Sequence, residues 1–528
     1  YDGMPRSYRA DAAYWRRQAY MGKGNHPSPL DSPESIQDRV YATTCLNLYD
    51  GATWQIALAL ENLFEPAEMY QRQVLFQSST NGGAELPAEG GPGGLASIRG
   101  ETDDFVYGCD AKPGSSLDQV EYPCPHWNQT FCLSDQYVPV KRPGASMFRL
   151  IGTHFRVADP FLGDIAVSYK VPPKPEPTWN KWGAIIWDDW KPITGENVWA
   201  NMIGPLQVLF LKGNGTLPKV TGWKDVPAEV KIGISIMPAM EALASPLGSL
   251  YHCPKGSKLF PEDEDEATNV SNENNVSAYA ALRMFAYVLQ GLIKNSDASI
   301  PELDAALQSA QKLLDGLDSW MEKYAFVQLE SGYKVVLQGG HVTCDGTFKP
   351  AVIEGKGGDP LNFAVDCQTW SVAAMGPDKL DKIGGDGTVY GMWQAVKQRS
   401  AYLQPDGSLG GVGYTGNGTR HDIWSAEWTY GAITMLREAA EYYNSAHPDW
   451  SANLQADAQA MMLAMERNYQ NGGMETDDGA MLYANKRFFI PWGWYANQVA
   501  STCSTAWRIM NRYNFNPFVL GGGLYPLP

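Results

Sequence analysis

The chain has 528 residues, of which 44% are hydrophobic and 12% aromatic, and 58 acidic residues outnumber 41 basic ones for a formal net charge of −17. This apolar and aromatic content excludes intrinsic disorder as the main state, and the acidic surplus excludes a basic nucleic-acid binder and disfavours docking on an anionic membrane. The sequence holds no run of about 18 apolar residues, so we expect no membrane span.

Helical periodicity runs through most of the chain. It is clearest over 301–323, where Pro301 suits a first helical turn and apolar residues from Leu303 to Met321 recur at spacings of three and four. Strands are few, and the segment 333–338 is predicted to form one. The other predicted helices span 5–21, 36–46, 51–61, 66–79, 195–212, 233–247, 274–294, 365–375, 387–402, 425–444, 451–469 and 496–512.

Two stretches lack this periodicity. Residues 80–100 are too rich in Gly and Pro to hold a helix, and they lack the Gly-Lys-[Ser/Thr] ending of a phosphate loop. The stretch 108–195 is rich in Pro, so we expect a long loop-rich excursion with a few strands over about 80–195. The acidic run 262–266 lacks the spacing and the glycine of an EF-hand calcium loop and is expected to be a solvated loop.

So many long helices, joined by irregular loops, indicate the fold class. A repeat solenoid is disfavoured because no short sequence repeat occurs. The pattern fits an all-α (α/α)6 toroid, in which six inner helices form a barrel and six outer helices surround it. We expect residues 1–528 to form this one catalytic domain, with functional residues concentrated in the loops at one end of the ring.

Several features favour a secreted protein. The chain begins at Tyr1 rather than Met, which we interpret as a mature chain whose signal peptide has been removed. The eight cysteines form no C-x-x-C pair, so disulfide bonds are expected, with their pairing left open. Five N-x-[Ser/Thr] sequons predict N-glycosylation on some of Asn128, Asn214, Asn269, Asn275 and Asn417.

Acidic residues stand beside aromatic ones at several junctions between a loop and a helix. An acid at a helix start can cap free N–H groups, but capping does not explain why Trp residues recur beside these acids. A flat apolar ring beside a carboxylate is typical of a carbohydrate cleft. The junctions hold Glu196 with Trp199, Glu273 with Tyr279, Asp366 with Trp370, and Glu427 with Trp424 and Trp428; the stretch 490–497 adds Trp492 and Trp494 without an acid.

Glycosidic hydrolysis needs two carboxyl groups, one protonated and one ionised. The candidates are Glu196, Glu273, Asp366, Asp422 and Glu427. Other chemistries are less well supported. The sequence has no G-x-S-x-G or H-E-x-x-H motif, and its seven His residues are too scattered to suggest a metal site. We expect no metal ion or organic cofactor.

A polysaccharide lyase is the main alternative. Such an enzyme uses a Tyr or His to remove a proton next to a uronate carboxylate, and it needs basic residues to neutralise that carboxylate. His421 lies near the Glu427 segment, but the pair Lys486 and Arg487 is the only basic pair near a candidate segment. The net charge of −17 would also repel a polyanion. We therefore favour a hydrolase over a lyase.

The order of the motifs resembles the (α/α)6-toroid glycoside hydrolases that include fungal and bacterial endo-β-1,2-glucanases. The resemblance covers most of the chain from about Glu196 onward and, more loosely, the first 80 residues. The sequons and the mature-looking start agree better with a fungal member. The motifs are TGENVW (194–199), NENNVSAY (272–279), DCQTW (366–370), GVGYT (411–415), AEWTYGAI (426–433) and PWGWYAN (491–497).

This resemblance implies an inverting endo-hydrolase that cuts linear β-1,2-glucan into sophorooligosaccharides. Glu273 would be the general acid, with its proton relayed through a substrate hydroxyl, and either Asp422 or Glu427 would be the base. Glu196 would bind the substrate or assist the reaction, and Trp and Tyr rings would form platforms on which sugar rings pack. The expected partner is a polysaccharide or oligosaccharide substrate, and a monomer is expected. Toroid glycosidases of another linkage and a glycan-binding protein without activity stay open as alternatives.

Overall fold

The computed structural model describes residues 45–71, 193–253, 268–416, 422–491 and 494–525, together with isolated short strands within the first 186 residues. Much of the predicted excursion over 80–195 lies outside these residues, as do the acidic run 262–266, Trp492, Asn128 and Asn417. The predicted helices over 5–21 and 36–46 are also mostly outside. Where these two segments are described they contain strand residues, at Tyr8–Arg9 and Cys45–Asn47, so the helix prediction is wrong there.

The helices follow the predicted pattern closely. The prediction matches 301–323 and 365–375 at both ends, whereas the helix predicted over 496–512 begins only at Thr502 because a strand precedes it. The described helices are α1 Leu48–Leu60, α2 Phe64–Tyr70, α3 Thr194–Val198, a π turn Trp199–Ile203 leading into α4 Gly204–Lys212, α5 Ala228–Ala242, α6 Asn272–Lys294, α7 Pro301–Lys323, α8 Val365–Met375, α9 Pro377–Gly384, α10 Thr388–Ser400, α11 Ala426–Tyr443, α12 Pro448–Met465 and α13 Thr502–Arg512.

The strands are short and pair in groups of two or three. Most pairs are antiparallel, and the strand predicted over 333–338 is found as Lys334–Val336. The strands are β1 Tyr8–Arg9, β2 Met21–Gly22, β3 His26–Pro27, β4 Cys45–Asn47, β5 Ala96–Glu101, β6 Glu121–Cys124, β7 Gln129–Cys132, β8 Ser146–Gly152, β9 Arg156–Asp159, β10 Gly163–Ser168, β11 Ala184–Ile186, β12 Asn269–Ser271, β13 Phe326–Gln328, β14 Lys334–Val336, β15 Gly339–Val342, β16 Phe348–Pro350, β17 Ala401–Leu403, β18 Leu409–Val412, β19 Phe488–Ile490, β20 Trp494–Ala496 and β21 Ala500–Ser501.

Six helical segments close into an inner ring. Each packs against the next in chain order, and the last packs against the first. After each of the first five inner segments, the chain turns back and lays an outer helix against the ring: α2, α5, α7, α10 and α12. The all-α (α/α)6 double ring predicted from the sequence is therefore confirmed. The inner segments, in order, are α1, α3 with its π turn and α4, α6, α8, α11 and α13.

Inner and outer helices differ in how they are buried. All eleven residues of inner helix α8 are buried, because ring neighbours and the outer layer cover every face. Outer helix α7 instead buries one stripe, including Leu303, Leu317 and Trp320, and exposes the other side. Inner helix α6 is long and apolar enough to cross a membrane by length and composition, but 72% of its most apolar window is buried inside this protein.

The segment after α13 closes one end of the ring. The side-chain amide of Gln207 in α4 donates to the carbonyl of Val519 at 2.7 Å and accepts from the N–H of Gly521 at 2.8 Å. The Asn516 amide donates to the carbonyl of Ala373 at 2.8 Å. Because Gln207 and Ala373 lie toward the carboxyl ends of their helical segments, residues 516–521 cover that end of the ring.

One predicted glycosylation site is incompatible with the fold. Asn275 is buried in the first turn of α6, where its side chain accepts from the N–H of Leu250 at 2.7 Å and donates to the carbonyls of Leu250 and Ser271. An amide nitrogen engaged in this way cannot carry a glycan, so Asn275 is not among the sequons that we expect to be glycosylated. Asn214, by contrast, is exposed in a turn.

Candidate active site

The amino ends of the inner helices carry a ring of acidic residues. An acid occupies the second or third position of five inner segments, and a cysteine occupies the second position of the sixth. A pattern of this kind places several carboxyl groups at the positive ends of helices, which stabilise negative charge. Around the ring the residues are Asp50 on α1, Glu196 on α3, Glu273 on α6, Asp366 on α8, Glu427 on α11 and Cys503 on α13.

Side-chain caps fix where most of these helices begin. Asn47 accepts from the N–H of Tyr49, and Ser271, Ser425 and Ser501 each accept from the N–H three residues on. A cap satisfies one of the N–H groups left free at a helix start. In three helices the residue two places after the cap serine is the one that joins the ring, so the caps set the positions of Glu273, Glu427 and Cys503.

Glu273 is the acid most strongly shifted toward its neutral form. Its side chain is half-buried and accepts a hydrogen bond from Nδ2 of Asn274, with 2.7 Å between Nδ2 and Oε2. Burial, followed by the charges of Asp366, Glu196 and Glu427, holds the pKa of Glu273 well above its usual range. A carboxyl group of this kind holds its proton to a higher pH than a free Glu does, and it can donate that proton to a leaving group.

Asp366 and Glu427 are more deeply buried, with 7% and 4% of their surfaces exposed. Burial raises the pKa of each to about 7. Asp366 is partly stabilised as an anion by the N–H of Cys367, which donates to its Oδ1 at 2.7 Å. Glu427 is partly stabilised by hydrogen bonds with the Tyr49 hydroxyl and the Cys503 thiol. Both groups can therefore ionise near neutral pH.

The electrostatic couplings show that these groups meet at one end of the ring. The charges that raise the pKa of Glu273 come, in decreasing order, from Asp366, Glu196 and Glu427. The first two lie on the adjacent inner segments and the third lies one helix further. For Cys503 burial is the main cause of the raised pKa, and the charges that add to it come first from Glu427, on the adjacent helix α11, and next from Asp50 on α1. Asp50, which the sequence reasoning did not select, thus belongs to the same ring.

Glu196 stands at the junction of the first two inner segments. Its side chain is half-buried, and its Oε1 accepts a hydrogen bond from Nδ2 of Asn47 at 3.0 Å. Asn47 also caps α1, so one residue connects the start of α1 with the acid of α3. The structure therefore brings together four of the predicted acids: Glu196, Glu273, Asp366 and Glu427.

Asp422 lies apart from this group. Its side chain is 58% exposed and forms an ion pair with Lys486. It precedes the cap Ser425, so it lies outside the first turn of α11 that holds Glu427. Asp422 makes none of the main contributions to the pKa of Glu273, Asp366 or Glu427. The structure does not join the predicted alternative base to the acidic ring.

The predicted sugar platforms are interior residues. Trp199, Trp370, Trp424 and Trp428 expose only 1–3% of their surfaces. Trp199 and Trp370 pack against each other, and Trp370 stacks on Trp507 with 6.0 Å between ring centroids. Rings packed in this way stabilise the barrel interior and leave no open face for a sugar, which corrects the prediction for these four. Of the other two, Trp494 is described only by its backbone in β20.

Two thiols lie in the site without a disulfide partner. Cys367 and Cys503 are both buried and free, so the expected disulfides do not include them. Burial is the main cause that raises the pKa of both thiols well above the usual value, and neighbouring carboxyl groups add to it. Such thiols stay protonated and act as hydrogen-bond donors rather than nucleophiles. Within the described ranges, no group of three His, Cys, Asp or Glu residues has metal-binding geometry.

The sequence reasoning missed three residues of this end of the ring: Tyr49, Asp50 and Cys503. A signal for Cys503 exists in the sequence, because Ser271–Glu273, Ser425–Glu427 and Ser501–Cys503 share a serine followed two places later by the ring residue. On α1 the cap is Asn47, and Tyr49 and Asp50 lie two and three places after it. The shared feature is that the ring residue lies two or three places after the cap.

Comparisons with known proteins do not assign a family. No protein-family model matches the chain, and no curated protein matches it. Solved structures that are similar include cellobiose 2-epimerase from Bacillus thermoamylovorans, with 10% identity, 63% of this chain and 74% of that chain covered, and a TM-score of 0.35. A second is the endo-β-1,2-glucanase of Chitinophaga pinensis, with 10% identity, 63% of this chain and 84% of that chain covered, and a TM-score of 0.31. A third is a sugar epimerase from a ruminal bacterium, with 9% identity, 94% of this chain and 91% of that chain covered, and a TM-score of 0.39. At these scores the likenesses do not decide between hydrolase and epimerase.

Proposed function

We propose that this protein is a glycoside hydrolase that cleaves a neutral β-glucan, acting as an inverting endo-β-1,2-glucanase. The observation that carries the proposal is the ring of carboxyl groups at the amino ends of the inner helices. In that ring the pKa of Glu273 is raised well above its usual range, and burial raises the pKa of Glu427 and of Asp366 to about 7. Two carboxyl groups whose environments separate their pKa values are what glycosidic hydrolysis requires.

Glu273 would be the general acid. It is half-buried, so its carboxyl group can face a cleft, and its neutral form supplies the proton for the glycosidic oxygen as the bond to the anomeric carbon breaks. Glu427 would be the base and take a proton from the water that attacks the anomeric carbon from the opposite side. We prefer Glu427 to Asp422 because Asp422 is exposed and paired with Lys486.

The charge of the site supports a neutral substrate. The main contributions to the pKa values of Glu273, Asp366 and Glu427 come from burial, from hydrogen bonds and from other acids, and none comes from a Lys or Arg of the described chain. A uronate polymer would bring further negative charge to this site, where the described residues provide no cation among the main contributions to these pKa values. The lyase alternative is therefore disfavoured at this site. The β-1,2 linkage rests on the resemblance of the sequence motifs alone.

The experiment that tests the proposal is a polymer panel. The protein is incubated with linear β-1,2-glucan and with β-1,3-, β-1,4- and α-linked glucans, mannan and a uronate polymer, and reducing ends and products are measured. We expect short oligomers from β-1,2-glucan, with the α-anomer formed first if the enzyme inverts. Activity on another neutral polymer instead would replace the proposed β-1,2 specificity with the linkage of that polymer. Ultraviolet absorbance from an unsaturated uronate would establish a lyase, and no release from any polymer would overturn the hydrolase proposal.

Secretion and a monomeric state complete the proposal. Secretion is supported by the exposed sequon at Asn214, where the backbone turns with a φ of 49°. Treatment of protein from the native source with an N-glycan-releasing enzyme should lower its apparent mass. Sedimentation should give one species with the mass of a single chain plus glycans.

A further inference from the structure

We propose that Tyr49 and Cys503 are positioning residues that hold the Glu427 carboxylate between two hydrogen-bond donors, and that Trp507 orients Tyr49 for this task. The inference rests on the proposed function, because Glu427 is the proposed base. Three inner helices that are separate in sequence meet in this arrangement: α1 provides Tyr49, α11 provides Glu427, and α13 provides Cys503 and Trp507.

The direction of the hydrogen bonds follows from the chemistry of the indole. The Trp507 Nε1 lies 2.6 Å from the Tyr49 hydroxyl oxygen, and an indole N–H can only donate. The hydroxyl oxygen therefore accepts from Trp507. Its own proton is left for another acceptor, and we assign it to the carboxyl group of Glu427, whose pKa the Tyr49 hydroxyl lowers. An ionised carboxylate can only accept a hydrogen bond. The chain of hydrogen bonds from Trp507 through Tyr49 to Glu427 is therefore complete when Glu427 is charged.

The thiol supplies the second donor. Cys503 Sγ lies 3.5 Å from Oε2 of Glu427 and 3.1 Å from the hydroxyl oxygen of Ser501. Cys503 occupies the position in α13 that an acid occupies in the other inner segments. A carboxylate there would place another negative charge beside Glu427, whereas a protonated thiol donates to it. The cysteine thus replaces a repulsive neighbour with an attractive one.

The surroundings make these two donors important. The titratable groups near Glu427 are Asp366 on α8, Glu273 on α6, Tyr49 and Asp50 on α1, Cys503 on α13, and Tyr414 in the loop after β18. All are acids, phenols or a thiol, and none contributes positive charge. Without Tyr49 and Cys503, a buried anion at Glu427 would keep few partners and would bind a proton more readily.

Infrared spectroscopy tests the contact without using activity. The S–H stretching band of a thiol lies where other protein groups do not absorb, and its position reports the strength of the hydrogen bond that the S–H donates. The difference between wild type and Cys503→Ala identifies the band of Cys503. We expect this band to shift as pH rises through the ionisation of Glu427, and to show no such shift in Glu427→Gln. A wild-type band that does not respond to pH would overturn the role of Cys503.

Kinetics test the effect on the reaction. In Tyr49→Phe the acidic limb of the kcat/KM profile should move to higher pH by about one unit, the size expected for the loss of one hydrogen bond to a charged group. Cys503→Ala should move it in the same direction, and Cys503→Ser should restore it. Tyr414→Phe is the matched control, since it removes another buried phenol near Glu427 whose hydroxyl bonds to the carbonyl of Tyr483 instead. If the acidic limb of the kcat/KM profile lies at the same pH in wild type and in Tyr49→Phe, the proposed role of Tyr49 is overturned.

The two proposals can fail separately. If no polymer is cleaved but the Cys503 band follows the ionisation of Glu427, the donor arrangement stands and the proposed function is wrong. If the enzyme hydrolyses a glucan but neither the band nor the acidic limb changes, the proposed function stands and the positioning role is wrong. Thermal unfolding of each variant separates these outcomes from loss of the fold.

Discussion

The backbone N–H of Gly195 donates a hydrogen bond to Oδ1 of Asn274, with 2.6 Å between the two atoms. The bond joins the first turns of α3 and α6, and each bonded residue is next in sequence to an acid of the ring. The Asn274 amide nitrogen donates in turn to Glu273 at 2.7 Å and to the cap Ser271 at 2.9 Å. One amide group thus fixes the relative placement of Glu196 and Glu273.

Gly195→Ala should disrupt this placement. A Cβ at Gly195 would lie 2.4 Å from Oδ1 of Asn274, so the amide must move. Alanine favours helix, so the backbone itself should tolerate the change. We expect kcat/KM to fall about tenfold or more with a small change in Tm, because misplaced reacting groups are costly in rate. Gly222→Ala is the matched control, since its Cβ would have no atom within 4 Å and its φ of 175° suits any residue. Equal losses in the two variants would contradict the explanation.

Glu273→Gln should remove activity without unfolding the protein. The substitution keeps the shape of the side chain and the contact with Asn274 but cannot donate an acidic proton. We expect kcat to fall by at least about 100-fold. Because the variant also removes a half-buried carboxyl group close to three other acids, Tm should stay equal or rise. An unchanged kcat would exclude Glu273 as the acid, and a strong loss of Tm would favour a mainly structural role.

Sequence alone predicts some parts of this fold accurately. The bounds of α7 are predicted because Pro301 marks its start and one face is apolar while the other is polar. The four acids that meet in the ring are also predicted, since each stands at a helix start where its role as a cap does not explain its aromatic neighbours. The interaction between helices that brings these starts together is long-range in sequence, and only the closed ring shows it.

Other parts of the site could not be read from the sequence. Asp422 and Glu427 are five residues apart, but only Glu427 lies inside the helix, and this decides which of them faces the ring. Trp370 is near an acid in sequence, yet an inner helix buries every face, so proximity to an acid does not imply a surface cleft. The spacing from Ser501 marks the position of Cys503, but its role was not predicted because that role depends on the acid of a neighbouring helix.

Peptide mapping of native protein should distinguish the sequons. We expect a glycan at Asn214, which is exposed in a turn, and an unmodified Asn275. Asn275→Gln should destabilise the protein by about 1–3 kcal/mol, because its buried bonds with Leu250 and Ser271 would be lost or strained. Asn214→Gly, which suits the left-handed φ of 49°, should lower the mass of the glycosylated protein but change the free energy of unfolding in urea by no more than about 0.5 kcal/mol. A glycan on Asn275 would contradict the burial of this residue.

Phe518 should be essential to the stability of the ring. It is fully buried, and its ring lies 5.3 Å from those of Trp199 and Trp370, which belong to different inner segments. Phe518→Ala should lower the free energy of unfolding by about 3–5 kcal/mol, as measured in urea. Leu524→Ala, at a residue that is 44% exposed, is the control and should have little effect. Equal effects of the two substitutions would mean that the terminal segment does not support the inner helices.

The acidic ring should make stability depend on pH. Asp366 and Glu427 have a pKa of about 7 in the folded protein, whereas unfolded carboxyl groups ionise near pH 4. Between these values the folded state holds protons that the unfolded state releases. The free energy of unfolding should therefore fall as pH rises from about 4 to 7 and then level off. For Glu427 the loss is roughly 3 kcal/mol, since its pKa rises from 4.5 to about 7.

Urea unfolding at pH 5 and pH 8 measures this contribution. Glu427→Gln removes the ionisable group, so the decrease in unfolding free energy between the two pH values should be smaller than in wild type. Glu302→Gln is the matched control, because Glu302 is also the second residue of a helix but is exposed on the outer helix α7. Its pH dependence should equal that of wild type. A Glu427→Gln variant with the full wild-type decrease would show that Glu427 does not hold its proton in the folded ring.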